Sequence, residues 1–209
     1  MDTRVITTAN LKGGTAKTTS SVFLAEALQR RGNRVRLVDA DPQGSALNWE
    51  GVSVPVLGLA TTTLHRQLWG VIDRDTVDII IIDTPPLEEQ HGIVASALRV
   101  ATDVIVPMAP TMMELNRVGP VWTAIEDAAG SRDDDPNAVV LLNRTVANAA
   151  STEAIRETLT DSGRTVLPTT IPRLELYAQA WGDPVPADKH YDAAAADLIA
   201  IWGGSSDGE

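Results

Sequence analysis

The sequence predicts an α/β fold, three layers with a mostly parallel, twisted central sheet between helices, and three observations carry that expectation. Short apolar runs alternate with segments of helical periodicity along the chain. The runs are almost continuously hydrophobic, as strands covered on both faces must be. Three polar motifs, at 10–19, 39–43 and 83–86, each follow directly on such a run, and open α/β sheets bind ligands beyond the carboxyl ends of their strands.

The first expected strand is 5–9, and the segment after it, Asn-Leu-Lys-Gly-Gly-Thr-Ala-Lys-Thr-Thr, reads as a phosphate-binding loop leading into a helix. Gly13 and Gly14 let the backbone turn its N–H groups inward, and Thr15 and Ala16 carry the turn to the helix. Lys17 can reach terminal phosphate oxygens. Thr18, with Thr19 beside it, opens a helix whose dipole favours anions, and the Thr18 hydroxyl is placed to bind Mg²⁺. The expected ligands are ATP and ADP with Mg²⁺. The loop departs from the ordinary pattern, because Ala16 replaces the glycine before the lysine and an additional Lys12 precedes Lys17 by five residues. If position 16 requires positive φ, alanine there costs on the order of 1 kcal/mol, and a slow ATPase is the expectation.

A helix is expected over 18–31, with Arg30 and Arg31 suited to its C-terminal dipole and Gly32 to a left-handed cap. Strand 35–38 then runs into Asp39-Ala40-Asp41-Pro42-Gln43. Strand 54–59 and helix 63–73 follow, with Trp49 and Trp69 read as packing residues. The strongest strand signal, 77–82, ends in Asp83-Thr84-Pro85-Pro86. An apolar strand closed by aspartate matches a Walker B element, with Asp83 contacting Mg²⁺ directly or through water. The prolines stop the strand and open a loop able to sense the γ-phosphate. Further expectations are helix 88–101, strand 103–108, a helix over 114–129 broken or restarted at Gly119-Pro120, an acidic loop at 133–136, and strand 138–142 ending in Asn143. Helix 152–159, a strand over 165–171 interrupted by Pro168, and a terminal helix 187–202 complete the chain.

With 209 residues, 44% of them hydrophobic, and no internal linker or repeat, one domain over 1–203 with a disordered tail at 204–209 is expected. No apolar run approaches the roughly 18 residues of a membrane span, and no signal-peptide pattern opens the chain, so a cytoplasmic protein is expected. The absence of cysteine excludes thiol nucleophiles and Cys-ligated metal or iron–sulfur sites. His65, His91 and His190 show no metal spacing. A net charge of −11 argues against coating DNA through global electrostatics. Lysine occurs only at Lys12, Lys17 and Lys189, so arginines must supply any other anion-binding surface.

The opening Lys-Gly-Gly-x-x-Lys-Thr-Thr resembles the deviant Walker A loop of the ParA/MinD family of ATPases, and Asp-x-Asp-Pro-Gln at 39–43 resembles that family's second motif. The resemblance runs from residue 5 to about 191 and is closest to the short ParF/Soj-like partition proteins that lack an N-terminal DNA-reading domain. It implies that Lys12 crosses a dimer interface to a phosphate of the partner's ATP, that Asp41 positions or polarises the attacking water, and that Asp39 supports the magnesium shell. It also implies that Asn143 contacts adenine, against the alternative of an Asx turn capping the strand, and that Pro172 of Ile171-Pro172-Arg173 flanks the base. An ATP-dependent homodimer, with possible higher-order assembly, would bind DNA nonspecifically and associate with the nucleoid. A ParB-like centromere-binding partner would stimulate hydrolysis. Arg156, Arg164, Arg173 and Lys189 are candidates for a DNA-phosphate face, with solvated helix charges as the alternative.

Other classes fit less well. A MinD-like membrane regulator needs a basic amphipathic C-terminal helix, and residues 193–209 hold no Lys or Arg. An iron-protein reductase needs cluster cysteines. A ParA/MinD-type ATPase positioning another cargo, a metabolic ATPase of the amidoligase type, and a nucleotide-holding module without turnover remain open.

Overall fold

The computed structural model describes residues 3–130 and 134–204. Seven strands form one sheet in the order β3-β2-β4-β1-β5-β6-β7, every pair parallel. They are β1 (Arg4–Thr8), β2 (Val35–Asp39), β3 (Val56–Gly58), β4 (Ile79–Asp83), β5 (Asp103–Met108), β6 (Asn137–Leu142) and β7 (Thr165–Val166). The helices are α1 (Lys17–Arg30), α2 (Leu64–Val71), α3 (His91–Leu98), α4 (Met112–Arg117), α5 (Gly119–Ala129), α6 (Ala150–Asp161), α7 (Glu175–Gln179) and α8 (Lys189–Gly204).

The Ile79-Ile80-Ile81-Ile82 run shows why a parallel centre reads as unbroken hydrophobicity. Successive side chains point to opposite faces. Ile79 and Ile81 join Phe23 and Leu24 of α1 and Tyr191, Ala195 and Leu198 of α8 on one side. Ile80 and Ile82 meet Leu64 and Leu68 of α2 and Ile93 of α3 on the other. A further cluster on β5 and β6 packs Val104, Val106, Val140 and Leu142 against α5 and α6 through Trp122, Ile125, Ile155 and Leu159.

Sheet register puts the chemistry on one line. Thr8 of β1 pairs with Asp83 of β4, and Asp83 pairs in turn with Asp39 of β2. Three strands therefore deliver their last polar residues to one rung at the carboxyl edge.

The sequence overestimates several elements. Only Thr165–Val166 of the expected 165–171 strand pairs as a strand. Pro168 has no amide to donate, although Leu167 and Ile171 still donate to the carbonyls of Val140 and Leu142. Helix α3 begins at His91 because residues 87–89 form a turn after the two prolines. The 114–129 segment restarts at Gly119-Pro120 as the sequence expects: it is two helices, the second with Pro120 in its first turn, where a missing amide costs nothing. Helix α8 runs to Gly204, so the expected boundary at 203 lies within its last turn. The rest of the expected tail, 205–209, lies outside the described residues, as does Asp133 of the acidic loop, while Asp134 and Asp135 are exposed. Trp49 is buried and its indole N–H donates to the Asp183 carbonyl at 2.9 Å. At neighbouring Gly51 a Cβ would stand 2.0 Å from that same carbonyl oxygen, so only glycine lets the two segments meet.

Candidate nucleotide site

The loop between β1 and α1 is anchored before it turns. Asn10 is buried, and its side chain donates to the Pro107 carbonyl at 2.7 Å while accepting from the Leu11 amide. Gly14 has φ 72 and Ala16 has φ 66 with ψ 31. Alanine therefore does occupy a left-handed position, the strained arrangement that the sequence left conditional. These two inversions fold 12–16 into a cup at the start of α1. Lys17, only 6% exposed, lays its ammonium on the Lys12 carbonyl at 2.9 Å. Burial pulls its pKa down, and the carboxylates of Asp83, Asp41, Glu89 and Glu88 oppose that shift. The ammonium is thus held across the mouth of the cup, where a phosphate can replace the carbonyl.

Asp83 is fully buried and its pKa is pushed up to about 7, chiefly by desolvation, with the hydroxyls of Thr18 and Ser21 opposing it and Asp39 reinforcing it. Its Oδ1 accepts from Ser21 at 3.0 Å, and Thr8, itself 2.6 Å from the Ser21 hydroxyl, lies at 3.5 Å. Its Oδ2 is buried without any hydrogen-bond partner. A buried carboxylate oxygen left unpaired is costly, and a hydrated divalent cation beside the Thr18 hydroxyl would satisfy it. No group of three or more His, Cys, Asp or Glu among the described residues could hold a metal alone. Mg²⁺ is commonly held by one or two protein oxygens together with substrate phosphate, and the Asp83 and Thr18 oxygens could be those.

The two aspartates after β2 are used differently. Asp39 is buried, and its oxygens accept the amides of Asp41 (3.0 Å) and Leu47 (2.8 Å), so it pins the turn that follows. Burial nonetheless raises its pKa. Asp41 is half-buried and accepts from the Gln43 amide at 2.9 Å, and it lies near enough to Lys17 to act on its charge, which makes it a candidate proton acceptor.

Beside the cup opens a cleft of about 870 Å³, lined among others by Ala16, Thr19, Asn143, Pro172, Tyr177 and Tyr191. Asn143 is buried and donates to the Thr15 carbonyl at 2.9 Å, while its Oδ1 has no partner. The side chain therefore ties β6 to the phosphate loop, where an Asx turn would have bonded its own backbone. Its free carbonyl suits an exocyclic amine such as that of adenine. Pro172 is held at the rim by a bridge to Thr145.

Several participants escaped the sequence reading. Ser21 follows Lys17 by four residues, which is one helical turn, and that spacing could have marked it as facing Asp83. Tyr177 and Tyr191 reach the cleft through tertiary packing: the Tyr177 hydroxyl donates to Asp188 at 3.0 Å, and Tyr191 lies 3.2 Å from Ser20. Glu88 pairs with Lys12; its only signal was its place just after Pro85-Pro86. Of the four candidate DNA-facing residues, Arg156 donates to the Leu167 and Pro168 carbonyls, and Arg164 pairs with Glu126 and stacks on Trp122. Arg173 and Lys189 have no ion pair among the described residues, and neither does Arg144 at the cleft rim. None of the three histidines joins the site, and His65 bonds Ser96 instead. No helix among the described residues is long and apolar enough to cross a membrane.

A strand, a lysine-bearing turn and a helix, with aspartates closing the neighbouring strands, place the molecule in the class of P-loop nucleotide-binding proteins. Comparison with known proteins narrows that class, because the model of the CobQ/CobB/MinD/ParA nucleotide binding domain matches residues 6–185. The chain belongs to this family of ATPases, which use ATP, ADP and Mg²⁺. It is 32% identical to maintenance of carboxysome distribution protein A of Halothiobacillus neapolitanus, over 82% of this chain and 81% of that one. To the chromosome partitioning protein ParA of Caulobacter vibrioides it is 27% identical, over 87% and 86% of the two chains. Among solved structures, cobyrinic acid a,c-diamide synthase from Mycobacterium smegmatis with bound ATP analog and magnesium superposes with a TM-score of 0.79 at 25% identity, covering 97% of each chain.

Proposed function

We propose that this chain is a partition ATPase: Mg²⁺-ATP drives a sandwich dimer that binds DNA nonspecifically, and hydrolysis, stimulated by a ParB-like centromere-binding partner, releases it. The observation that carries the reading is the division of labour between two lysines in one loop. Lys17 is buried across the cup and serves the chain's own nucleotide. Lys12 has a side chain 42% exposed, in an ion pair with Glu88 that it can exchange for a phosphate held by a second subunit.

In this reading the N–H groups of 13–19 and Lys17 cradle the phosphates, and Asn143 and Pro172 hold adenine. Thr18 and Asp83 hold Mg²⁺, with Asp39 supporting its shell by fixing the turn. Held there, Mg²⁺ would supply positive charge to the β- and γ-phosphate oxygens. Asp41 orients the attacking water and draws on its proton. Lys12 of the opposing subunit adds positive charge where the transition state is most negative, so turnover requires the dimer. The slow ATPase expected from the sequence fits the strain at Ala16.

The likeness to a carboxysome-distribution protein favours a second reading, in which the same cycle positions a protein assembly. The likeness to a cobyrinic acid amidating enzyme keeps a metabolic role as the contrasting case. Co-sedimentation with DNA in ATP but not in ADP is expected for either positioning role, and equal sedimentation in both nucleotides, or in neither, would count against them. Asp41→Ala should bind ATP, persist as a dimer and lose about a hundredfold in phosphate release, the scale of a lost general base. Wild-type turnover by that variant would remove Asp41 from the mechanism.

A further inference from the structure

We infer that Glu88 is a positioning residue that holds Lys12 within its own subunit, so that its carboxylate sets the ATP concentration at which two subunits assemble. The inference rests on the cross-subunit role proposed for Lys12 and deepens it.

The geometry makes Glu88 part of the phosphate loop's frame. After Asp83 the chain runs back along that loop: the Thr84 hydroxyl donates to the Thr8 carbonyl at 2.7 Å, the Leu87 amide to Asn10 at 3.1 Å, and the Glu88 amide to Leu11 at 3.2 Å. Pro86 packs against Gly13, where a Cβ would meet its ring at 3.7 Å. These contacts present the Glu88 carboxylate to the Lys12 ammonium, and the two form an ion pair. Both side chains are partly exposed, at 42% and 34%, so the pair is open to exchange.

A lysine so paired cannot reach a second subunit without leaving its carboxylate. A triphosphate on an opposing subunit offers a denser negative charge than one carboxylate, whereas a diphosphate lacks the γ-phosphate and offers less than the triphosphate does. The exchange therefore discriminates between nucleotides at the assembly step, and Glu88 opposes assembly until the phosphate competitor is present. The segment carrying Glu88 begins at the Mg²⁺-binding Asp83, so the lysine's holder and the metal's holder lie on one short stretch of chain.

The test measures the ATP concentration giving half-maximal dimerisation, by light scattering with Mg²⁺, for the wild type, Glu88→Gln, Glu88→Asp and Lys12→Ala. Glu88→Gln should lower that concentration about threefold, the scale of one solvent-exposed ion pair. Glu88→Asp, which retains the charge, should stay near wild type. Added salt should narrow the difference between wild type and Glu88→Gln, a response that loss of a merely structural contact would not give. An unchanged or raised threshold in Glu88→Gln, with thermal unfolding like that of wild type, overturns the inference alone. An equal shift in Mg²⁺-ADP binding also overturns it, since Glu88 would then act on nucleotide binding and not on assembly. Full ATP-dependent dimerisation by Lys12→Ala overturns the cross-subunit role itself and the inference with it.

Discussion

The nucleotide site has two halves built on opposite plans. The phosphate half is assembled from residues close in sequence or adjacent in the sheet: the 10–19 loop, and Thr8, Asp83 and Asp39 on one rung. Lys17 and Asp39 there are buried and already engaged, Lys17 on a loop carbonyl and Asp39 on two amides. The base half draws Asn143, Pro172, Tyr177 and Tyr191 from four separate segments into an open cleft. The phosphate half is preorganised for a ligand whose chemistry never varies, while the base half depends on how the C-terminal third packs.

That contrast ranks the variants. Lys17→Ala should have the largest effect, at least a hundredfold in nucleotide binding or phosphate release, because Lys17 is the buried cation among the described residues and the proposed partner of the phosphates. Near-normal turnover by this variant would make the two halves equal partners. Asn143→Ala should weaken ATP binding about tenfold, since it leaves the Thr15 carbonyl without its donor and removes an unpaired buried acceptor beside the cleft. It should also narrow the preference for ATP over GTP in competition with a fluorescent analogue. A loss of affinity with discrimination intact would make Asn143 a brace for the loop only.

A smaller effect tests the electrostatics of the phosphate half. Asp83 keeps its proton in the folded, nucleotide-free protein up to about pH 7, whereas in the unfolded chain it ionises near pH 4. The folded state therefore binds more protons across this window, so the Asp83 contribution to stability should fall as pH rises from about 4 to about 7. Asp83→Asn should flatten that part of the melting-temperature profile measured without nucleotide. The smallest change is Ala16→Gly, which should raise stability in denaturant titration by about 1 kcal/mol by relieving the left-handed alanine. A loss of stability would show that the native loop carries no strain there.

The same contrast explains what was legible in the sequence. A glycine turn, its lysines and strand-terminal aspartates are local patterns, and the long apolar runs that make parallel strands announce the sheet. Phosphate-half positions could therefore be named from spacing. Asn143 was visible as a strand end, but its bond to Thr15 depends on β6 lying two strands from β1. Tyr177 and Tyr191 gave no signal as cleft residues, because helical periodicity marks a buried stripe without saying what else it touches. Strand β7 was overestimated because Pro168 ends the ladder while Leu167 and Ile171 keep an apolar pattern.

The rung formed by Thr8, Asp83 and Asp39 acts as a fixed datum. These strands are paired on both edges, and a one-residue slip would turn each isoleucine of β4 to the wrong face. If the nucleotide's state is signalled from this edge, the segments hung from it, 41–48 after β2 and 84–90 after β4, are where a change is expected, since the rung itself cannot shift.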